Sequence, residues 1–408
     1  MTIKTLKDVQ VAGKRVLVRV DYNVINSEGG PVASLSRLRA SLPTIRYLVE
    51  HNARIVLCSH LGRPGGKVVE GWSLRPVRSE LQKLLGMPVA FAGDCVGPAA
   101  HAAVEALKPG QVLLLENVRF HPGDEKNSPD FARELASLAD LFVEDGFGVA
   151  HRSHASTVGV AQCLPSVAGL LLEKELAMLS HVLDNPRRPL VAIMGGAKIS
   201  DKVAVVESLL NRVDALAIGG GMAATFFRAK GWETGASLVE ADAIPFAGKA
   251  MQQAQARGVK LLLPTDVVVT LLPAGAKDPS KLKGDVATQV VPADRIPAGC
   301  AIVDVGPATL EAFSAELCGA KTVFWNGPMG IFEVPVFSHG TRKLVDTLTG
   351  LKDATTIVGG GSTAEVVEAL GVEGRFSHVS TGGGATLECL AGQELPGVAA
   401  LKGKRPIV

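Results

Sequence analysis

At 408 residues, with 47% hydrophobic and 20% charged, the chain is too long for one hydrophobic core and too apolar to be disordered, which points to a soluble protein of two domains. A net charge of +2 supplies no overall field for nucleic acid or a membrane surface, so neither partner is expected and any anion site must come from local clustering. Six scattered cysteines without a C-x-x-C pair read as free thiols in a reducing compartment. The start, MTIKTLKDVQVAGKRVLVRV, has no apolar secretion segment, so the expected location is the cytoplasm.

Short apolar runs alternate with amphipathic stretches, the pattern of repeated strand–helix units and of parallel sheets. The first run, RVLVRVDYN, ends on Asp21 and Asn23, acceptors suited to substrate hydroxyls. SRLRAS places Arg37 and Arg39 at a helix start. RIVLCSHLGRP then delivers His60 and Arg63, VLLLENVRFH delivers Arg119 and His121, and DLFVEDGFGVAHRSHAS delivers Arg152 and His154. A single arginine is most simply a solvated or paired charge. The same residue types repeated at successive strand ends describe a ring for a small, multiply charged anion, held by bidentate guanidinium forks. HRSH lacks the acidic or cysteine neighbours of a metal site, and GFGVAH lacks the third small residue of a dinucleotide fingerprint.

AGLLLEKELAMLSHVLDNPRRP is apolar at helical spacing and is then stopped by prolines, which predicts a connecting helix over 171–185. The expected fold is therefore two Rossmann-like, doubly wound α/β domains, 1–170 and 186–380, each a mostly parallel sheet flanked by helices. In the second half PLVAIMGGAK, DALAIGGG, KLLLPTDVVV, CAIVDVGP, TVFWNGP and TIVGGG read as strands. GGAKISDK sets Lys198 and Lys202 four apart, predicted on one helix face behind a glycine turn. Such a helix start offers free N–H groups and a positive dipole end. Two more strand–glycine–helix turns follow, Gly219–Gly221 and Gly359–Gly361. FWNGPMGIFE adds Asn326 and Glu333, the latter a carboxylate for a ribose diol. The P-loop pattern is absent, yet three glycine turns and a lysine pair fit a polyphosphate. An anion domain and a nucleotide-type domain together suggest a kinase acting on a small acidic metabolite.

GKRVLVRVDYNV, SHLGRP, LLLENVRF, AHRSHAST, GGAKISDK, GGGMAATF, WNGPMGIFE and FSHVSTGGGATLECLAGQELPGV occur in one order across both halves, and in this the chain resembles the phosphoglycerate kinase family from end to end. The resemblance implies reversible, magnesium-dependent phosphoryl transfer from ATP to 3-phosphoglycerate, giving ADP and 1,3-bisphosphoglycerate. It implies a monomer whose domains close on a hinge, with 381–408 returning to the first domain. Carried over by motif, Asp21, Asn23, Arg37, His60, Arg63, Arg119, Arg152 and His154 would bind phosphoglycerate. Arg37 and Lys198 would neutralise the transferring group, and Lys202 would hold the terminal phosphates. Gly219, Gly220, Gly221, Asn326, Glu333, Gly359, Gly360, Gly361, Ser362 and Thr363 would line the nucleotide site.

Several positions depart from the family pattern. Ser34 and Leu35 stand where relatives commonly have acids. Glu144, Gly146 and Val149 stand where Asn, Ala and Thr are usual. Ser362 stands where the family usually places the aspartate that meets magnesium, and a hydroxyl could reach the metal only weakly or through water. STAE has the form of a capping box, with Ser362 capping the helix and Glu365 reaching back. Two other readings are a catalytically impaired relic that binds nucleotide or metabolite, and an NAD-dependent dehydrogenase. Retention of Arg37, Lys198 and Lys202 opposes the first, and the incomplete GFGVAH motif gives little to the second.

Overall fold

The computed structural model describes residues 3–25, 27–276, 278–282 and 286–402. The chain divides into two compact units, Met1–Ala177 with Glu394–Val408, and Met178–Gln393. Among the described residues no helix is long and apolar enough to cross a membrane.

In the first unit β1 (Arg15–Arg19), β2 (Arg54–Cys58), β3 (Val89–Phe91), β4 (Val112–Leu114), β5 (Leu141–Glu144) and β6 (Ser166–Ala168) form one sheet. Its order is β3-β4-β2-β1-β5-β6 and every pairing is parallel. Strands buried on both faces are nearly continuous apolar runs, as in the VLV of β1 and the LFV of β5. The helix Ser36–Glu50 turns Leu38, Leu42, Ile45 and Leu48 inward at helical spacing, onto a core that includes Val16, Val18, Ile55 and Val143. Each such side chain contributes about 1.5–3 kcal/mol on burial. The winding reverses between β1 and β5, the kind of switch point at whose carboxyl ends open α/β sheets bind ligands.

The second unit repeats the plan with β7 (Leu190–Met194), β8 (Ala215–Ile218) and β9 (Lys260–Leu262). A separate antiparallel sheet, in the order β11-β10-β12, is built from β10 (Asp266–Leu271), β11 (Gln289–Pro292) and β12 (Cys300–Val305). The parallel sheet then resumes with β13 (Thr322–Asn326), β14 (Thr355–Gly359) and β15 (His378–Val379), in the order β15-β14-β13-β7-β8-β9. Its reversal lies between β7 and β13. KLLLPTDVVV, read from the sequence as one strand, is therefore two in different sheets. Pro264 cannot continue a ladder, and the Asp266 carboxylate accepts from Ala308 and Thr309 N–H at 3.0 and 2.8 Å, turning the chain toward the start of the helix Pro307–Cys318.

The connecting helix runs Leu170–Leu183, and the division between units falls after Ala177, inside it. The helix Gly383–Leu390 packs on Val203–Leu209 within the second unit, so the chain rejoins the first unit at Glu394, later than the 381 expected. There the helix Pro396–Leu401 buries Val398 and Leu401, and Gly397 N–H donates to the Ala150 carbonyl at 2.8 Å.

Candidate active site

In the first unit the predicted site residues follow the carboxyl ends of strands, Asp21 and Asn23 after β1 and the basic ones after β2, β4 and β5, with Arg37 at the start of the helix Ser36–Glu50. Arg37 Nη1 lies 2.9 Å from Asp21 Oδ2 and donates to the Asn23 carbonyl at 3.1 Å. Asn23 Oδ1 accepts from Gly62 N–H at 2.8 Å, fixing the turn that leads to the exposed Arg63. Arg119, 4% exposed, donates from Nη1 to the Gly62 carbonyl at 2.7 Å. Its Nε sits 3.2 Å from Glu125 Oε1 without aiming a proton at it. His154 Nδ1 lies 3.7 Å from the buried Asp124 Oδ2, and neither atom has a hydrogen-bond partner.

The electrostatics confirm that these charges crowd one another. Burial, then Arg119, Arg19, Arg152 and Arg37 in turn, drives the His60 pKa well below its ordinary value. Burial and then Arg152 lower Arg119 to about 10, and burial lowers Arg152 and His154 although Asp21 and Asp124 respectively oppose it. A cluster of half-desolvated cations holding one another down is stabilised by an anion.

Two of the sequence's basic residues do not join the ring. Arg39 is exposed, and His121 Nε2 turns to Asp94 Oδ1 at 2.7 Å. Asp94, Cys95 and His121 bring metal-capable atoms within 4.8 Å of one another, but Asp94 Oδ1 is already taken by His121 and by Cys95 N–H at 2.6 Å. Three further residues belong here, of which the sequence had singled out only Glu144, and that as a departure from the family pattern. Arg19 and Glu144, the last residues of β1 and β5, are register partners and fully buried. Burial pushes the Glu144 carboxyl up to about 8 against the pull of Arg19. Asp124 is the third. A charged residue closing an otherwise apolar strand was the available signal for the first two; Asp124 had none.

In the second unit the glycine turns converge on one another. Gly195 N–H donates to the Asn326 carbonyl, Gly196 N–H to Pro328, Gly220 N–H to Met329, and Met222 N–H to Gly196. Gly220 has φ +65°, and a Cβ there would meet Gly196 N at 2.5 Å; Gly327 has φ +95°, and a Cβ there would meet the Gly195 carbonyl at 2.3 Å. Gly219 and Gly359 are likewise packed against Met329 and Phe324, and Gly221 lies on Ala197. These glycines let turns approach turns. Only Gly361 has open space where its Cβ would stand.

Lys202 seals this assembly. Its Nζ donates to the Gly195 carbonyl and, at 3.3 Å, to Asn326, and burial lowers its pKa to about 8. Asn326 Nδ2 donates to Gly359 at 2.8 Å and Thr363 Oγ1 accepts from Gly327 N–H at 2.7 Å, so both bind the turns together. The expected helix face shared by the lysines is not there. The α-helix begins at Val203 after a 3₁₀ turn over Ser200–Lys202, and Lys198 stands exposed before it. Glu240, unforeseen, fixes this turn by accepting from Ile199 and Ser200 N–H at 2.6 and 3.1 Å. Glu333 is exposed.

The capping box is also corrected. The helix Gly361–Ala369 starts from Gly360, whose φ of +96° turns the chain two residues early, so Ser362 is the second helical residue, exposed and making no cap.

The family model for phosphoglycerate kinase matches residues 6–393. Curated relatives named phosphoglycerate kinase include one from Moorella thermoacetica, 54% identical over 98% of this chain and 99% of the relative, and one from Chloroflexus aurantiacus, 53% identical over the same shares. The solved phosphoglycerate kinase of Coxiella burnetii superposes with a TM-score of 0.85 at 38% identity, covering 98% of this chain and 99% of its own.

Proposed function

The chain belongs to the phosphoglycerate kinase family, and on that premise we propose how its two half-sites divide the work. Its reaction is the glycolytic one, reversible phosphoryl transfer between ATP and the carboxylate of 3-phosphoglycerate, giving ADP and 1,3-bisphosphoglycerate.

The basic ring takes phosphoglycerate. What carries this reading is the crowd of mutually depressed cations around His60, which an anion with a phosphate and a carboxylate would relieve. Arg63, Arg119, Arg152, His60 and His154 hold the substrate, and Asp21 and Asn23 accept from its hydroxyl. Arg37 is parked on Asp21 and is released to the transferring phosphoryl group. The converged glycine turns take the nucleotide, with Gly219–Gly221 and Gly359–Gly361 as the walls of its pocket. Lys202 has one N–H left for phosphate, Glu333 serves the ribose, and the exposed Lys198 meets the group in flight. Such transfer asks the protein for positioning, charge neutralisation and exclusion of water.

Magnesium accompanies the nucleotide in this family, but the loop 359–363 does not fit a protein-held cation. It offers an exposed hydroxyl and N–H groups and no carboxylate. The metal is left to the nucleotide's phosphates and water. The six cysteines, none of them in a disulfide, support a reducing, cytoplasmic setting, and the family resemblance favours a monomer.

A relic that binds without turnover gains no support from relatives that carry the enzyme's name. A coupled assay in the ATP-consuming direction, run beside a nucleotide-binding titration, tests the reading: binding without turnover would restore the relic. Arg37→Ala and Lys198→Ala are expected to lower kcat by roughly two orders of magnitude or more with little change in KM, because their charge acts on the transition state. A variant that lost only affinity would remove its residue from that role.

A further inference from the structure

His60 follows β2 and is 2% exposed, with Nδ1 3.3 Å from Arg19 Nη2. Arg19 closes the neighbouring β1 and is fully buried. Its Nε donates to Ser156 Oγ at 3.1 Å and its Nη1 to the Val20 carbonyl, so the guanidinium is pinned on three sides. A guanidinium has N–H donors, no acceptor, and keeps its charge at any working pH. The histidine nitrogen it faces must therefore be bare, and the proton of a neutral ring must sit on Nε2. Asp21 Oδ1 is 3.9 Å from Nδ1, beyond hydrogen-bond reach, and its carboxylate is paired with Arg37.

We propose that Arg19 is a positioning residue that locks His60 as the neutral Nε2–H tautomer, so that His60 meets phosphoglycerate as an uncharged hydrogen-bond donor. The advantage is physical. A ring already crowded with guanidinium groups gains a directional donor without another charge to repel in the empty site. The groups facing His60 agree: Arg19 from β1, Arg37 from the helix Ser36–Glu50, Arg119 after β4 and Arg152 after β5 all oppose its protonation, and Asp21 is the acid that faces it. His154 has the opposite backing, since its Nδ1 faces the Asp124 carboxylate.

What Nε2 contacts rests on reading the ring as the phosphoglycerate half-site; the tautomer does not. The test is long-range ¹H–¹⁵N spectroscopy of the full-length chain labelled at histidine, from pH 5.5 to 8.5, with His60 assigned through His60→Gln. The expected result is an Nε2–H tautomer with no titration across the range. Titration of His60 within it, or an Nδ1–H tautomer, overturns the proposal, and this readout needs no variant of Arg19. Arg19→Met is expected to release the lock, so that the still neutral His60 populates both tautomers, and to raise KM for 3-phosphoglycerate roughly tenfold with a smaller change in kcat. An unaltered tautomer in Arg19→Met also overturns the proposal. If the wild-type tautomer is as stated but His60→Gln leaves KM unchanged, the lock stands and the assignment of the half-site fails.

Discussion

Lys202 carries two duties on one ammonium, since two of its protons go to the Gly195 and Asn326 carbonyls. Burial depresses its pKa to about 8, so its positive charge is present below that pH and is lost above it. ADP affinity is accordingly expected to fall about tenfold per unit as pH rises beyond about 8, and Lys202→Arg moves that fall upward because a guanidinium stays charged. Calorimetric titration from pH 6.5 to 9.5 measures it, and a flat profile would take Lys202 off the phosphates. Ser362 is the second residue to test. Ser362→Asp places a carboxylate at an exposed helix start and is expected to tighten Mg²⁺–ADP binding several-fold, with binding of ADP in chelator changed far less. Equal effects with and without the metal would show a dipole contribution instead. His60, Arg63, Arg119, Arg152 and His154 were singled out in the sequence because each follows a strand end, and Arg37 because it opens a helix, whereas the buried Arg19 and Asp124 were not. The uses of side-chain atoms were not legible, since Asn326 and Thr363 spend theirs on neighbouring turns, which no linear pattern reveals.

At the scale of an element, the turn after β5 shows why separate departures from a family pattern can be one event. A Cβ on Gly146 would stand 3.0 Å from Val149 Cγ2 and 3.1 Å from Glu144 Oε1, and Gly146 N–H donates to that same oxygen at 2.9 Å. Glu144, Gly146 and Val149 thus fill one volume. Gly146→Ala alone is expected to destabilise the protein by about 1–2 kcal/mol, while in a Glu144→Asn, Val149→Thr background it is close to neutral. Denaturant unfolding of the four corners of that cycle measures the coupling, and additive effects would deny it. Long apolar strands flanked by glycine were readable in the same way as this turn was not. The strands the sequence concealed are short: β3, β6, β11 and β15 span two to four residues, too few for periodicity to speak. The split of KLLLPTDVVV depended on Asp266 reaching a helix forty residues on.

At the scale of the whole molecule, the second unit is an insertion within the first, because the chain leaves the first unit after Ala177 and rejoins it at Glu394. The two-unit plan followed from length and from the connecting helix, whereas the return segment came only from family resemblance, having no local signature. A chain ending at Gln393 gives up the Gly397–Ala150 hydrogen bond and the burial of Leu395, Val398 and Leu401, an upper bound of about 1.5–3 kcal/mol for each side chain. Hydrogen exchange is expected to quicken more than tenfold at β5 and β6 in that truncation and to stay unchanged at β13 and β14. Equal protection at β5 and β6 would make the terminal helix a passive attachment.

The same topology sets an order of events during synthesis. A ribosome completes the entire second unit before it makes the helix that closes the half-finished host, so the earliest-made unit is the last to be sealed. Until then, the seat beside Ala150 stands open, a patch of nascent chain for a chaperone to guard or a protease to find.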